Sequence, residues 1–395
     1  MTETPPGVDE LTHGAEDVLP GGMLAQQLRR DSPLRVKLGI DPTAPDIHLG
    51  HVVVLNKLAQ FQSAGHTVVL IIGDYTARVG DPSGRDSRRP VLASEQIDAN
   101  ATTFQDQAFK VLDRGATEVR FNSEWLDMPA ERLFELVGKV TVARLLERDD
   151  FSRRMAADEP ISALELLYPI MQGYDSVAVR SDVELGGSDQ KFNLLFARDV
   201  QRAYGVPGQS IVTMPILPGL DGERRMSKSL GNYVGVTDPP GEMFGKLMSV
   251  PDAVMPLYYE LLLGDEEPPG AAPVEAKRRL ARRLVARFHG EDAAEDAEQR
   301  FDRVHVQREA PEDMPEVRLD DALENGGQAG GTVHMPALIA GAFGITSSEG
   351  RRLLQQGGVK LDGESVDGAN LDMPREALEG RVLQVGKRRF ARLLG

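Results

Sequence analysis

The sequence predicts an α/β protein: a Rossmann-like, doubly wound parallel sheet, then an α-helical domain, then a small α+β domain. Three observations lead there. Short apolar runs of strand length, Leu34–Ile40, Thr67–Gly73 and Ile211–Leu217, read as strands buried on both faces. Helical stretches lie between them at Glu95–Leu112, Glu131–Glu147 and Ala163–Tyr174. Beyond residue 240 the alternation stops, and helices follow one another. Alternation of the first kind builds a parallel sheet with its site at the carboxyl ends of the strands.

Taken in order, residues 1–33 are an N-terminal extension and 34–240 the doubly wound domain. Pro215 places the last apolar run at a sheet edge or a strand end. A Pro-Pro-Gly linker opens a helical domain, 241–310, with stretches Glu242–Val250, Ala253–Leu263 and Val274–His289. The last of these carries Leu280, Leu284 and Phe288 on one stripe and a strongly basic opposite side. Residues 311–332, acidic and rich in Pro and Gly, read as a linker. The remainder, 333–395, reads as helix Met335–Phe343, helix Ser347–Gln356, then strands about an Asp362-Gly363 turn.

Composition narrows the class. An apolar fraction of 41% and a charged fraction of 27% describe an ordinary globular chain of 395 residues, enough for two or three domains. There is no cysteine, so disulfides are excluded and a cysteine-based zinc site with them. No apolar run reaches the ~20 residues of a membrane span, and Met1–Val18 lacks the apolar core of a signal peptide. A cytoplasmic protein with no membrane role is expected. The net charge of −16 is unevenly spread: Gly331–Gly395 holds 9 Lys+Arg against 7 Asp+Glu, leaving −18 on the rest. A slightly basic tail on an acidic body suits a local RNA-binding module.

The segment Asp41-Pro-Thr-Ala-Pro-Asp-Ile-His-Leu-Gly-His51 organises the first domain. Two prolines follow the strand and forbid a helix, and Asp46 is the expected N-cap of a helix from about Ile47 to Ala64. His48 and His51, three apart, then stack on its first turn. Helix N-termini attract phosphate, and two imidazole donors there can grip it more tightly as charge builds in a transition state. Gly50 lets a flat ring approach the backbone. The competing readings are a zinc half-site, with no third ligand nearby in sequence, and plain surface histidines.

Further polar groups cluster at helical or turn spacings. Asp81, in the turn Gly80-Asp-Pro-Ser-Gly-Arg85, would enter the cleft beside His48 and can hold an ammonium, or is a solvated turn residue. Arg85, Arg88 and Arg89 can meet phosphate or RNA, as can any exposed arginine. Tyr168, Gln172 and Asp175 share one helix face, with Leu164, Leu167 and Met171 turned to a core. The turn Gly186-Gly-Ser-Asp-Gln190 bares backbone and supplies Asp189 for ribose hydroxyls. Asp221–Gly231 is a hydrophilic loop with glycines near both ends, suited to move, carrying Arg225-Met-Ser-Lys-Ser229.

His48-Leu-Gly-His51 and, about 175 residues on, Arg225-Met-Ser-Lys-Ser229 together resemble the two signatures of class I aminoacyl-tRNA synthetases. Arg225 replaces the first lysine of the second signature, keeping charge and changing geometry. Tyr168-Pro-Ile-Met-Gln-Gly-Tyr-Asp175 and Gly186–Gln190 narrow the likeness to the bacterial tyrosyl-tRNA synthetase family. The resemblance implies a catalytic set of His48, His51, Arg225, Ser227, Lys228 and Ser229. It implies ATP or adenylate contacts from Gly39, Asp41, Thr43, Gly50, Gly187 and Asp189. Asp81, Tyr168 and Gln172 would take the amino group of tyrosine, Asp175 the phenolic hydroxyl, and Gln190 the carboxylate end. Lys37 stands where the commoner bacterial form has a substrate-touching tyrosine, which marks the second bacterial subtype; Lys37 is grouped with the tyrosine site without an assigned task.

Ser348–Gly363 resembles an S4 RNA-binding domain, with Arg351, Arg352, Lys360, Lys387, Arg388 and Arg389 facing RNA phosphates. In this family the basic helix 274–289 meets the anticodon arm. The implied partners are L-tyrosine, ATP with its Mg²⁺, tRNA(Tyr) and a second copy of the chain, with no resident metal. Two other readings stay open. One is another nucleotidyltransferase of the same superfamily, which has no need of an S4 tail. The other is a catalytically silent, RNA-binding relative.

Overall fold

In the computed structural model, residues 7–82, 93–265, 270–305, 314–320, 331–369, 371–386 and 389–395 are described. The chain divides into two compact units, Met1–Phe288 and His289–Gly395.

The first unit is built on a six-stranded sheet: β1 (Asp17–Leu19), β2 (Arg35–Ile40), β3 (Thr67–Ile72), β4 (Thr117–Phe121), β5 (Val183–Gly187) and β6 (Ser210–Met214). Their spatial order is β1-β6-β5-β2-β3-β4. All neighbours are parallel except β1, which runs antiparallel to β6. The expected strands are therefore present, and Pro215 lies just past the end of β6. The extension 1–33 does more than precede the domain, because β1 covers the edge of β6 that would otherwise leave unpaired backbone groups.

From β2 the chain moves to β3 and β4 on one side and returns with β5 on the other. That reversal opens a crevice at the carboxyl ends of β2 and β5, where such sheets bind ligands. Val36, Val68–Ile71, Val183, Ile211 and Val212 are fully buried, so the sheet itself is the core.

Helices depart from expectation in instructive ways. The stretch 131–147 is two helices, Ala130–Gly138 and Val142–Leu145. Thr141 breaks it by adopting extended backbone and accepting the Arg144 N–H as an N-cap. Tyr168 sits in a longer helix than expected, Ala163–Ala178, whose Ser162 and Glu165 form a reciprocal cap. Leu164 on that helix faces water, contrary to the expected core position, while Met171 is buried. The stretch 253–263 is a 3₁₀ turn, a short α-helix and a π turn in succession. Leu280, Leu284 and Phe288 are buried as the stripe requires. Among the described residues no helix is long and apolar enough to cross a membrane.

The second unit is α+β. A five-stranded sheet has the order β10-β9-β12-β13-β7, from β7 (Glu316–Arg318), β9 (Val359–Leu361), β10 (Glu364–Ser365), β12 (Val382–Val385) and β13 (Arg389–Leu394). A second pair joins β8 (Thr332–His334) to β11 (Asp372–Pro374). Asp362 and Gly363 take φ of 47° and 86°, so the expected tight turn between β9 and β10 is formed. Part of the segment read as a linker is instead β7, paired parallel with β13. Its neighbour Leu319 is fully buried in the same core as Leu338, Leu354 and Leu383, which gives that segment an apolar anchor.

Candidate active site

The strand–Pro–Pro–helix segment carries the first functional groups, though the helix starts later than expected. It runs Leu49–Ser63, with His48 rather than Asp46 as N-cap. Ile47 and His48 are held extended by the segment after the Asp221–Gly231 loop: Val236 N–H donates to Ile47 O, and Leu49 N–H to Val234 O. Backbone committed to that pairing is unavailable to the helix. His51 Nδ1 accepts the His48 N–H at 3.2 Å, and the imidazole centroids lie 3.8 Å apart. A Cβ on Gly50 would sit 3.0 Å from His48 Nδ1, which explains the glycine between them.

Burial lowers the pKa of both rings, His51 to about 4 and His48 well below the ordinary value, with His51 and Arg225 adding to the effect at His48. Near neutral pH the pair therefore offers uncharged N–H donors, not cations. His48 Nδ1 is buried with no hydrogen-bond partner in the structure.

The rings border a cavity of about 300 Å³ at the switch point. Of the expected site residues, Lys37, Gly39, Asp41, Thr43, His48, Gly50, His51, Asp81, Tyr168, Gln172, Asp175, Gly187, Asp189, Gln190, Arg225 and Ser227 all line it. Residues more than 180 positions apart thus converge on one space.

Each wall has its own bonding. Asp41 accepts from Thr76 Oγ1 at 2.6 Å and Tyr168 Oη at 2.8 Å; burial, opposed by these bonds, lifts its pKa to about 7. Gly73 makes room for it, since a Cβ there would lie 2.0 Å from Asp41 Oδ1. Asp175, 4% exposed, accepts from Trp125 Nε1 at 2.8 Å and Asn122 Nδ2 at 3.4 Å. Its pKa rises to about 6 through burial, against the pull of the Lys37 ammonium and of those two donors.

Gln190 Nε2 donates to Asp81 at 2.8 Å, and Gln190 Oε1 accepts from Asn193. Asp189 pairs with Arg225 at 3.2 Å, and its pKa is raised by burial and by Asp81. Gly186 and Gly187 end β5 rather than forming a free turn; the turn is Ser188–Gln190.

Lys37 is almost fully enclosed and pairs with an equally enclosed Glu184 at 3.1 Å. Gln172 Nε2 and Ser176 Oγ also bond to Glu184, as does Gln209 Nε2. Opening such a buried pair from one side costs about 3–5 kcal/mol, because a charge is left alone.

The loop between β6 and the next helix is drawn together by Asn232. Its Oδ1 accepts the Ser227 N–H at 2.9 Å, while Nδ2 donates to Asp221 at 2.9 Å and to the Arg225 carbonyl at 3.2 Å. Lys228 does not line the cavity; it pairs with Asp46 at the rim. Ser229 Oγ lies 2.9 Å from Ser227 Oγ.

Sequence reasoning passed over Thr76, Asn122, Trp125 and Glu184, each of which acts through a partner distant in sequence, and Asn232, whose partners lie in the adjoining loop. Trp125, the chain's one tryptophan, was the available signal. In the second unit Arg351 and Arg352 are exposed on the helix Ser347–Gln355, Lys360 is half-buried on β9 and Arg389 is exposed on β13. Lys387, Arg388, Arg85, Arg88 and Arg89 lie outside the described residues.

A switch-point cavity bounded by a paired-imidazole helix start and a basic Met-Ser-Lys-Ser loop defines a class I aminoacyl-tRNA synthetase. Residues 29–306 match the family model described as tRNA synthetases class I (W and Y). Tyrosine–tRNA ligase from Moorella thermoacetica is 49% identical over 97% of this chain and 94% of its own length. The Haemophilus influenzae tyrosine–tRNA ligase is 46% identical over 100% and 98%. The chain belongs to the bacterial tyrosyl-tRNA synthetase family. Two solved structures share the fold at 21% identity. A C-terminally truncated Aspergillus nidulans mitochondrial tyrosyl-tRNA synthetase has a TM-score of 0.61 over 74% of this chain and 91% of that one. The Archaeoglobus fulgidus tyrosyl-tRNA synthetase complexed with L-tyrosine has 0.59 over 75% and 99%.

Proposed function

We propose that this chain joins L-tyrosine to tRNA(Tyr) in two steps within the cavity described above. The tyrosine carboxylate oxygen bonds to the α-phosphorus of ATP as the bond to pyrophosphate breaks. A terminal ribose hydroxyl of the tRNA then attacks the carbonyl carbon, and AMP leaves. No side chain need act as nucleophile; orientation and charge stabilisation carry both steps.

One observation carries the choice of amino acid: Asp175, enclosed at the cavity wall and fixed by Trp125 and Asn122. A carboxylate so placed is suited to accept from a phenolic hydroxyl and loses that bond with an unsubstituted ring. In this reading Asp81, Tyr168 and Gln172 meet the ammonium, Gln190 the carboxylate end, and Gly39, Asp41, Thr43, Gly50, Gly187 and Asp189 the nucleotide. His48, His51 and the loop residues Arg225, Ser227, Lys228 and Ser229 act on the triphosphate. Mg²⁺ comes with ATP, held by phosphate oxygens and water; the described residues form no cluster of three metal-ligating groups.

The second unit serves tRNA binding as an S4-type module through Arg351, Arg352, Lys360 and Arg389, aided by the basic helix Pro273–His289. The working assembly is a homodimer in the cytoplasm. Its support is exposed apolar surface on Phe134, Val142, Met155 and Leu164, which a partner would cover; a monomer in sedimentation velocity would speak against it. The test of the function is pyrophosphate exchange with each amino acid in turn. Exchange with tyrosine alone is expected, and exchange with none overturns the reading.

A further inference from the structure

Gln172 carries an asymmetry that fixes the chemistry it shows the cavity. Its Nε2 donates to Glu184 Oε1 at 3.3 Å, while its Oε1 is buried with no hydrogen-bond partner. A carboxylate only accepts, so Glu184 obliges the amide to turn its NH₂ inward and leaves the oxygen as the group on offer. A buried acceptor without a partner is costly unless a ligand donates to it.

Glu184 is itself immobilised. Ser176 Oγ donates to its other oxygen at 3.2 Å, Gln209 Nε2 donates there too, and Lys37 balances its charge at 3.1 Å. Lys37 also donates to the Gln172 carbonyl at 3.2 Å, which ties the backbone of the same residue to the same cluster. Stability alone does not account for the arrangement, since apolar side chains of similar volume commonly replace a buried ion pair without loss.

We propose that Glu184 is a positioning residue for substrate binding: it holds Gln172 so that Oε1 faces the cavity and accepts a proton of the amino acid's ammonium group. Lys37 supplies the opposite charge beside Glu184, 3.1 Å away. This rests on the assignment of Gln172 to the ammonium end of tyrosine.

Two variants test it by pyrophosphate exchange. In Glu184→Gln the amide at 184 can donate to Gln172 Oε1, so Gln172 is free to turn its NH₂ toward the ammonium. The paired replacement of Lys37→Met and Glu184→Met removes the orienting carboxylate without leaving a lone charge. Both are expected to raise the KM for tyrosine about tenfold, with kcat and the KM for ATP within about twofold of the parent; the tenfold change is ~1.4 kcal/mol. The discriminating probe is 3-(4-hydroxyphenyl)propionate, which has the phenol and carboxylate but no ammonium. Read well above the pH of about 6 at which Asp175 titrates, so that loss of the Lys37 ammonium leaves that carboxylate ionised, its inhibition constant should be the same in parent and variants.

An unchanged tyrosine KM in the folded paired variant overturns the proposal, leaving the ion pair purely structural. An equal loss of affinity for the propionate also overturns it, because the defect then lies in cavity shape. Failure of the parent chain to exchange with tyrosine would be a different result, striking the functional reading itself.

Discussion

Asp175 illustrates how a single residue's surroundings set its working range. Its pKa, lifted to about 6 by burial, is held there by opposing contributions from Lys37, Trp125 and Asn122. Below that pH the carboxyl is protonated and ceases to be a pure acceptor for a phenol. The kcat/KM for tyrosine, which reports the free enzyme, should therefore fall on the acid side of about pH 6. Trp125→Phe deletes the 2.8 Å N–H bond, which favours the ionised form. Its removal raises the pKa, so the acid limb must move to higher pH, by roughly one unit for the loss of a hydrogen bond to a charged group. A pH profile of kcat/KM for the two proteins checks this; an unmoved limb, or one moved to lower pH, shows that Asp175 does not set it. The same physics explains why Trp125 and Asn122 escaped sequence reading. Polar spacing of four and three marked Tyr168, Gln172 and Asp175 on one helix, whereas the donors to Asp175 come from another segment about 50 residues earlier.

Elements were legible where burial was uniform and illegible where contacts from elsewhere overrode local preference. The strands β3 and β6 are buried almost throughout and read as mainly apolar runs, and β2 was legible through Val36, Leu38 and Ile40 although it also buries Lys37. In contrast β4 is half-buried and carries Glu118 and Arg120, β5 hides Glu184 among apolar neighbours, and β1 is only three residues long. The helix start at Leu49 depended on the pairing of Ile47 with Val236, a contact no local window contains. That pairing matters for function as well, since it joins the first signature to the chain leaving the loop.

Within the loop, Asn232 brackets Met226 from both sides through Arg225 and Ser227. Asn232→Ala would remove three hydrogen bonds, each worth about 0.5–1.5 kcal/mol, and free the backbone that presents Arg225, Ser227 and Lys228. The expected outcome is a kcat for adenylate formation lower by roughly ten- to a hundredfold, with tyrosine affinity within about twofold, as for an interaction needed only in the transition state. Single-turnover adenylate formation and equilibrium dialysis with tyrosine separate the two quantities. Equal loss in both would show that Asn232 supports the whole cavity instead.

At the scale of the whole molecule, chemistry and charge are segregated along the chain. Every residue lining the cavity falls between Lys37 and Ser227, inside the unit that ends at Phe288. The second unit has its own core around Leu319, Leu338, Leu354 and Leu383. The final 65 residues carry a net +2, against −18 on the rest, so attraction for RNA phosphates has to come from local patches. Removing residues 289–395 should accordingly leave tyrosine-dependent pyrophosphate exchange within a few-fold of the parent and abolish charging of tRNA(Tyr). Ending at Phe288 keeps the buried Phe288 ring and the bond from Lys110 Nζ to its carbonyl. Salt gives a second handle. Charging by the full chain should weaken steeply as salt rises, because binding releases the counterions condensed on RNA, while exchange, whose anions are only ATP and pyrophosphate, should fall less steeply. If truncation destroys exchange as well, the second unit supports the fold of the first; if charging survives truncation, the helices before Phe288 bind the tRNA without it.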